Sequence, residues 1–243
     1  MKPLIIFTHV PKTAGTSFIH SVLIPIFGED RIVDGRIRQF RNRVREEHDV
    51  VVGHNAYGGH LLTRRPVRYV TFLREPIDRA ISHYYFIRGC DPRLCQHPLY
   101  GEAMRLSLSD FYRQRRFQNG MARMIAGFWW DNWMANVPGI EKMLRRVAES
   151  NLRTRYVAFG IQERFRESIK HIVHDFGWKC LPTRERHKVT HDRIGMSDLD
   201  SDTLEVLIDG HQADIDLYRY AERLFDTRVR ETRLDVDIGL PMK

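Results

Sequence analysis

The stretch "PLIIFTHVPKTAGTSF", residues 3–18, joins an apolar run to a loop rich in hydroxyl groups, and it decides the fold class. Its apolar half is rich in β-branched and aromatic residues, which predicts a short buried strand. After the loop, Phe18, Val22 and Phe27 recur at helical spacing, although Pro25 should bend or shorten the helix. The stretch therefore predicts a strand, a loop and a helix in succession.

The loop itself has the composition of an anion-binding site. Gly15 allows a close approach of the backbone, and Lys12 adds a mobile positive charge. The hydroxyl groups of Thr13, Thr16 and Ser17 can donate hydrogen bonds, and Thr16 or Ser17 can cap the following helix. We therefore predict a phosphate-binding loop; an ordinary capped turn is the alternative. It is not a Walker A loop, because the sequence contains no Gly-Lys pair.

Three further segments have the pattern of buried strands: "DVVVGH" (49–54), "VRYVTFLRE" (67–75) and "TRYVAFG" (154–160). Strands that alternate with helices predict an α/β fold with a mostly parallel sheet flanked by helices. With 243 residues, 42% of them hydrophobic, and no convincing linker, we expect a single domain over residues 1–243.

Less regular segments complete the predicted layout. A charged helix is predicted over residues 36–48, an irregular segment over 89–101 and a polar loop over 181–195. The C-terminal region is predicted to be a long helix with a weak point at Gly210.

Polar residues follow three of the predicted strands directly. They lie in the segments 9–17, 54–59 and 74–79. Because ligands of parallel sheets bind beyond the carboxyl ends of the strands, we expect these segments to converge on one edge.

The third of these segments supplies a second candidate anion site. "LREPIDRAISHYYF" (73–86) places Arg74 at the end of a strand and Ser82 about two turns into the next helix, which should begin at Pro76. A phosphate could accept a charge-assisted bond from Arg74 and a hydroxyl bond from Ser82. A solvated basic helix face is the alternative.

Together these motifs resemble those of the sulfotransferase family that includes the heparan sulfate 2-O- and 6-O-sulfotransferases. "HVPKTAGTSF" is similar to the family's 5′-phosphosulfate loop, "LREPIDRAISHYYF" to its 3′-phosphate motif and "VVGHNAYGGH" to its Gly-His segment. The resemblance implies a nucleotide-kinase-like (P-loop-type) core. It also implies transfer of a sulfuryl group from 3′-phosphoadenosine 5′-phosphosulfate (PAPS) to an acceptor hydroxyl, with adenosine 3′,5′-bisphosphate (PAP) as product and no metal.

The same resemblance implies a role for individual residues. The 5′-phosphosulfate would be held by the loop residues Lys12, Thr13, Ala14, Gly15, Thr16 and Ser17, and the 3′-phosphate by Arg74 and Ser82. His54 matches the position of the catalytic base, and Lys12 would neutralise the charge on the bridging oxygen. Ala14 stands where many members have Gly or Ser.

Charge is the main indication of the partners. The excess of 39 Lys and Arg over 31 Asp and Glu, a net charge of +8, favours an anionic partner such as an acidic glycan. We expect no nucleic acid partner, and the oligomeric state stays open. A nucleotide kinase or NTPase and a non-catalytic polyanion-binding protein are the alternatives to a sulfotransferase.

Cysteine and hydropathy patterns indicate the compartment. The three cysteines are too few for a disulfide framework, which favours a reducing, cytoplasmic location, although a Cys90–Cys95 bridge is an alternative. The sequence contains no run of about 18 apolar residues, so it predicts no membrane-spanning helix.

An aromatic cluster, "FWWDNWMAN" (128–136), has two interpretations. Sugars stack well on Trp, so the cluster could form a wall of the acceptor site, or it could pack inside the protein. Trp129, Trp130 and Trp133 cannot all face inward on one helix, so we expect one of them to be exposed.

Overall fold

A computed structural model describes residues 1–35, 43–91, 93, 97–132, 134, 137–179 and 193–232 of the chain. Residues 36–42 of the predicted helix and 181–192 of the predicted loop lie outside the described residues. Residues 44–48 are not helical, so the prediction that this helix extends to residue 48 is wrong. Strands within the described residues are β1 Leu4–Thr8, β2 Ile32–Asp34, β3 Val50–Gly53, β4 Val67–Leu73 and β5 Tyr156–Ile161. They form one parallel sheet in the order β2-β3-β1-β4-β5.

The helices flank this sheet and connect its strands. The first, α1, runs without a break through Gly15–Phe18, Ile19–Leu23 and Ile24–Phe27. The others are α2 Pro76–Arg88, α3 Tyr100–Arg105, α4 Leu108–Arg113, α5 Gly120–Ala126, α6 Phe128–Asn132, α7 Glu141–Thr154, α8 Phe165–Phe176, α9 Ser201–Gly210 and α10 Gln212–Thr232. The predicted α/β architecture, a parallel sheet flanked by helices, is confirmed, as is the weak point at Gly210.

Burial of β1 on both faces makes it the centre of the core. Leu4 and Ile6 pack with side chains of α5, α7 and α10, whereas Ile5 and Phe7 pack with side chains of α1 and α8. Successive residues of a strand point to opposite faces, so a strand that is buried at every position needs helices on both sides.

The strand register aligns the carboxyl ends of β1, β3 and β4. Thr8, the last residue of β1, pairs with Gly53 at the end of β3 and with Thr71 near the end of β4. The residues that follow each strand therefore leave the sheet at the same edge, as the sequence predicts.

Helix α1 contains a π-helical segment, Ile19–Leu23, just before Pro25. Pro25 has no N–H to bond the carbonyl of the preceding turn, and a wider turn accommodates this loss without ending the helix. The hydroxyl of Ser21 donates to the Ser17 carbonyl at 2.5 Å within the same turns. Pro25 thus changes the helix locally instead of shortening it.

A buried polar network fixes α2 against α5 and α10. Arg79 of α2 lies 3.5 Å (Nη2 to Oδ2) from Asp214, and the two side chains are 4% and 0% exposed. The Asp214 carboxylate accepts hydrogen bonds from the N–H groups of Met121 and Ala122, in the first turn of α5, at 3.2 and 2.7 Å. Asn119 in turn accepts N–H groups at the start of α10 at 3.0 and 3.2 Å. Because removing one partner of a buried pair leaves an uncompensated charge, this network holds α2, and with it Ser82, in place.

Candidate active site

The loop between β1 and α1 has a backbone suited to an anion. Lys12 and Ala14 both adopt left-handed conformations, with φ of 67° and 64°. Left-handed residues within a turn direct neighbouring N–H groups into one concavity, which is the geometry of an anion-binding nest. Helix α1 begins directly after Ala14, whose side chain makes no capping hydrogen bond. The first turn of α1 therefore begins without a side-chain cap, at the kind of helix end where anions bind.

The capping role predicted for Thr16 or Ser17 is wrong. The residue at the N-cap is Ala14, so Thr16 and Ser17 lie inside the first turn of α1. The physical reason is that the left-handed Ala14 ends the loop, and helical geometry starts at Gly15. What the loop offers an anion is chiefly its backbone N–H groups, with Thr16 partly exposed beside them.

Thr13 has a structural role that its sequence position does not reveal. Its side chain is fully buried, and its hydroxyl donates to the Val10 carbonyl at 2.8 Å. The hydroxyl proton is thereby used to close the loop. Its contribution to anion binding would come from its backbone N–H.

The left-handed backbone of Ala14 is less favourable for alanine than it would be for glycine. A left-handed conformation costs a residue with a Cβ roughly 1–2 kcal/mol. We expect Ala14→Gly to raise the free energy of unfolding by about 1 kcal/mol in urea denaturation. Ala148→Gly, in the middle of α7, is the matched control and should lower it by a similar amount or more. A destabilised Ala14→Gly protein would contradict the left-handed loop.

His54 follows β3, and one ring nitrogen is already bonded. Nδ1 lies 2.7 Å from the backbone oxygen of His9. A carbonyl oxygen only accepts, so Nδ1 carries the proton and Nε2 of the neutral ring keeps its lone pair. The side chain is exposed. His54 is therefore oriented beside the loop, and within the described residues no hydrogen bond is formed by Nε2.

His9 connects the loop to His54. Its ring stacks on Phe7 with centroids 5.3 Å apart and lies 4.6 Å from the ring of His54. A Cβ on Gly15 would come within 2.1 Å of the His9 ring. Gly15 is thus required for the close approach of His9 as well as for the loop backbone.

Arg74 joins the two predicted anion sites. Its Nη1 donates to the Lys12 carbonyl at 2.9 Å, and its Nε donates to Asp78 at 2.9 Å. The side chain is 12% exposed. Ser82, one turn after Asp78 on α2, is 2% exposed, and no described residue forms a hydrogen bond with its hydroxyl. Arg74 therefore lies directly against the loop that contains Lys12.

The surroundings of Lys12 include the Phe86 ring and two histidines, His83 and His97, of which sequence reasoning gave no role to Phe86 and His97. The Lys12 ammonium lies 4.3 Å from the centroid of the Phe86 ring, a cation–π contact. Burial, and then the positive charge of Arg79, lowers the pKa of His83 well below its usual value. Burial, and to a smaller extent the neighbouring His54, also lowers the pKa of His97. Both rings are neutral near pH 7 and add no fixed positive charge beside His54.

Part of the aromatic cluster lies next to the segment that follows His54. The N–H of Phe128 donates to the Tyr57 carbonyl at 3.0 Å. Trp129 is 64% exposed, whereas Trp130 packs against the core, so the expectation of an exposed Trp is confirmed. Trp133 lies outside the described residues.

Among the described residues, no group of His, Cys, Asp and Glu side chains could hold a metal ion. None of their helices combines the length and the apolar character that crossing a membrane requires. Cys95 lies outside these residues, so the Cys90–Cys95 bridge stays a prediction.

Comparisons with known proteins agree with the resemblance noted in the motifs. A family model described as "Sulfotransferase family" matches residues 2–221. A protein-tyrosine sulfotransferase of Arabidopsis thaliana is 28% identical over 109 residues, which cover 44% of this chain and 22% of that protein. The heparan sulfate 2-O-sulfotransferase hst-2 of Caenorhabditis elegans is 24% identical over 108 residues, which cover 36% of this chain and 33% of that protein. The chain thus spans a third or less of these curated relatives.

Among solved structures, mouse sulfotransferase SULT7A1 complexed with PAP aligns with a TM-score of 0.40 at 14% identity. The alignment covers 98% of this chain and 87% of that one.

Proposed function

The chain belongs to the sulfotransferase family, and on that premise we propose that it transfers a sulfuryl group from PAPS to an acceptor hydroxyl. The observation that supports this most directly is the bond from Arg74 to the Lys12 carbonyl. It places the residue proposed for the 3′-phosphate against the loop proposed for the 5′-phosphosulfate. A nucleotide with anionic groups on both sides of its ribose matches two adjoining anion sites.

The residues present fit such a donor. The start of α1 has no side-chain cap, and the buried Ser82 hydroxyl has no hydrogen-bond partner among the described residues. Within the described residues, Arg74 uses three of its five N–H groups in bonds to Lys12 and Asp78, which leaves two that could bind a ligand. These are the donors that two phosphate groups need.

The proposed chemistry is an in-line displacement at sulfur. PAPS supplies the sulfuryl group, whose bond to the bridging oxygen breaks as the acceptor oxygen forms its own bond to sulfur. His54 Nε2 takes the acceptor proton, because Nδ1 is held by the His9 carbonyl. Lys12 and the N–H groups of the loop stabilise the charge that develops on the leaving 5′-phosphate. Position and electrostatics would account for most of the rate.

For the acceptor we propose a hydroxyl of a carbohydrate, and an acidic glycan in particular. The exposed Trp129 is adjacent to Phe128, which is bonded to the segment after His54, and the net charge is +8. One relative is a heparan sulfate sulfotransferase and the other a protein-tyrosine sulfotransferase. Labelled PAPS offered with desulfated heparan sulfate and with an acidic tyrosine peptide would decide between these classes. Label on the peptide alone would contradict the carbohydrate proposal.

Two further expectations belong to this proposal. We propose that the sulfotransferase unit is a single domain, and that the protein acts in the cytoplasm, on the basis of its three cysteines.

Nucleotide binding tests the donor. We expect PAP, at about 100 times its Kd, to raise the melting temperature by roughly 5–10 °C, because a ligand of the native state stabilises it by mass action. ATP with magnesium should give a much smaller rise. Stabilisation by ATP and not by PAP would favour a nucleotide kinase or NTPase and would rule out the proposal. An equal response to PAP, ATP and heparin would favour a polyanion-binding protein.

A further inference from the structure

Arg193 contacts α2 although it is distant from it in sequence. Its Nη1 donates to the carboxylate of Asp78, and also to the Asp78 carbonyl at 3.3 Å. The same carboxylate accepts hydrogen bonds from Arg74. Two arginines from separate segments therefore converge on one anionic group.

This convergence lies on the helix face that contains Ser82. Asp78 and Ser82 are four residues apart on α2, and residues at this spacing are neighbours on a helix surface. The Ser82 side chain is 2% exposed and has no hydrogen-bond partner in the part of the chain that the structure describes. Arg74 and Arg193 thus both contact Asp78, and Ser82 lies one turn further along the same helix face.

The charges of this cluster leave room for an anion. Burial disfavours the charged carboxylate, but the bonds from Arg193 and Arg74 outweigh it and hold the pKa of Asp78 below its usual value. Asp78 therefore neutralises only one of the two guanidinium groups at neutral pH. The carboxylate of Glu75 accepts the Asp78 N–H at 2.6 Å and forms no ion pair with either arginine within the described residues. Within the described residues, Arg193 forms hydrogen bonds through Nη1 alone, so the rest of its fork is available. A phosphate monoester, with a charge near −2, complements the remaining positive charge.

We infer that Arg193 is a second arginine of the 3′-phosphate site and that Asp78 is the positioning residue that holds it beside Arg74. The inference rests on the proposed function and adds to it the basis of donor selection. A nucleotide without a 3′-phosphate would gain nothing from Arg193. The segment that begins at Arg193 would then contribute to recognition of the donor.

Comparison of PAP with adenosine 5′-monophosphate tests this role, since the two nucleotides differ only in the 3′-phosphate. For Arg193→Ala we expect the Kd for PAP to rise about 10- to 100-fold, the effect of losing a charge-assisted hydrogen bond. The Kd for the monophosphate, measured by calorimetry or by competition, should stay within about twofold. Arg193→Lys, which retains the charge and loses the fork, should give an intermediate Kd for PAP.

Arg145→Ala is the matched control. Arg145 pairs with Asp216 at 3.3 Å between α7 and α10, and its loss should leave both affinities unchanged. Unaltered PAP binding by Arg193→Ala, or an equal loss for both nucleotides, would overturn the role of Arg193 while leaving the proposed function intact. Failure of the unmodified protein to bind PAP would instead contradict the proposed function, and the inference with it.

Discussion

Replacement of His54 by alanine is expected to lower the rate of sulfuryl transfer by about 10²- to 10⁴-fold, the usual contribution of a general base. The physical reason is the hydrogen bond that Nδ1 donates to the His9 carbonyl, which leaves Nε2 as the proton acceptor. The affinity for PAP should change by less than about twofold, because His54 contacts no group that we assign to nucleotide binding. Single-turnover transfer of labelled sulfate from PAPS to the preferred acceptor of the screen measures the first quantity, and calorimetry the second.

His54→Asn separates the base from its hydrogen bond. The amide nitrogen of Asn can occupy the position of Nδ1 and donate to the His9 carbonyl, but Asn has no atom that can replace the basic Nε2. We therefore expect the Asn variant to be as slow as the Ala variant. Recovery of the rate in His54→Asn would mean that His54 only orders the loop, and it would remove the residue from the role of base.

The sequence could predict which segments meet at the edge of the sheet because that information is local. Every residue of β1 is apolar or a small hydroxyl residue and is buried, and a strand of this kind requires a parallel sheet with helices on both faces. Once the strands are parallel, the residues after Thr8, Gly53 and Leu73 must leave at one edge. The positions of Lys12 and His54 follow from this geometry.

The contacts that were missed are those that depend on tertiary structure. Arg193 reaches Asp78, and Asp214 reaches Arg79, across long sequence separations that no periodic pattern records. Strand β2 was missed for another reason: it is three residues long, too short to show a repeating pattern, and it lies at the sheet edge.

The N-cap of α1 is not one of the hydroxyl residues that the sequence rule favours. Hydroxyl residues favour the N-cap, and the sequence offers Thr16 and Ser17, yet the left-handed backbone of Ala14 places the N-cap two residues earlier. A small residue tolerates this conformation at a cost. The cost is acceptable where the backbone must turn its N–H groups toward a ligand.

Lys12→Ala is expected to lower the rate of sulfuryl transfer by about 10²- to 10³-fold, the loss typical of one group that stabilises developing charge. The ammonium group would follow the negative charge onto the bridging oxygen, so its contribution is larger in the transition state than in the bound donor. The affinity for PAP should therefore fall by no more than about tenfold. The backbone contact from Arg74 to the Lys12 carbonyl does not depend on the side chain, so the loop should keep its conformation.

Phe86→Leu is the control for the position of the ammonium group, which lies 4.3 Å from the centre of the Phe86 ring. A cation–π contact that is partly exposed, as this one is, contributes only about 0.5–1 kcal/mol, so this variant should slow transfer by about fivefold at most. If Phe86→Leu slows transfer as much as Lys12→Ala does, the contact with Phe86 that orders the Lys12 side chain accounts for the rate loss.

If Lys12→Ala weakens PAP binding as strongly as it slows single-turnover transfer, the side chain stabilises the ground state and the transition state alike. Lys12 would then be a binding residue and would have no special part in the departure of the 5′-phosphate.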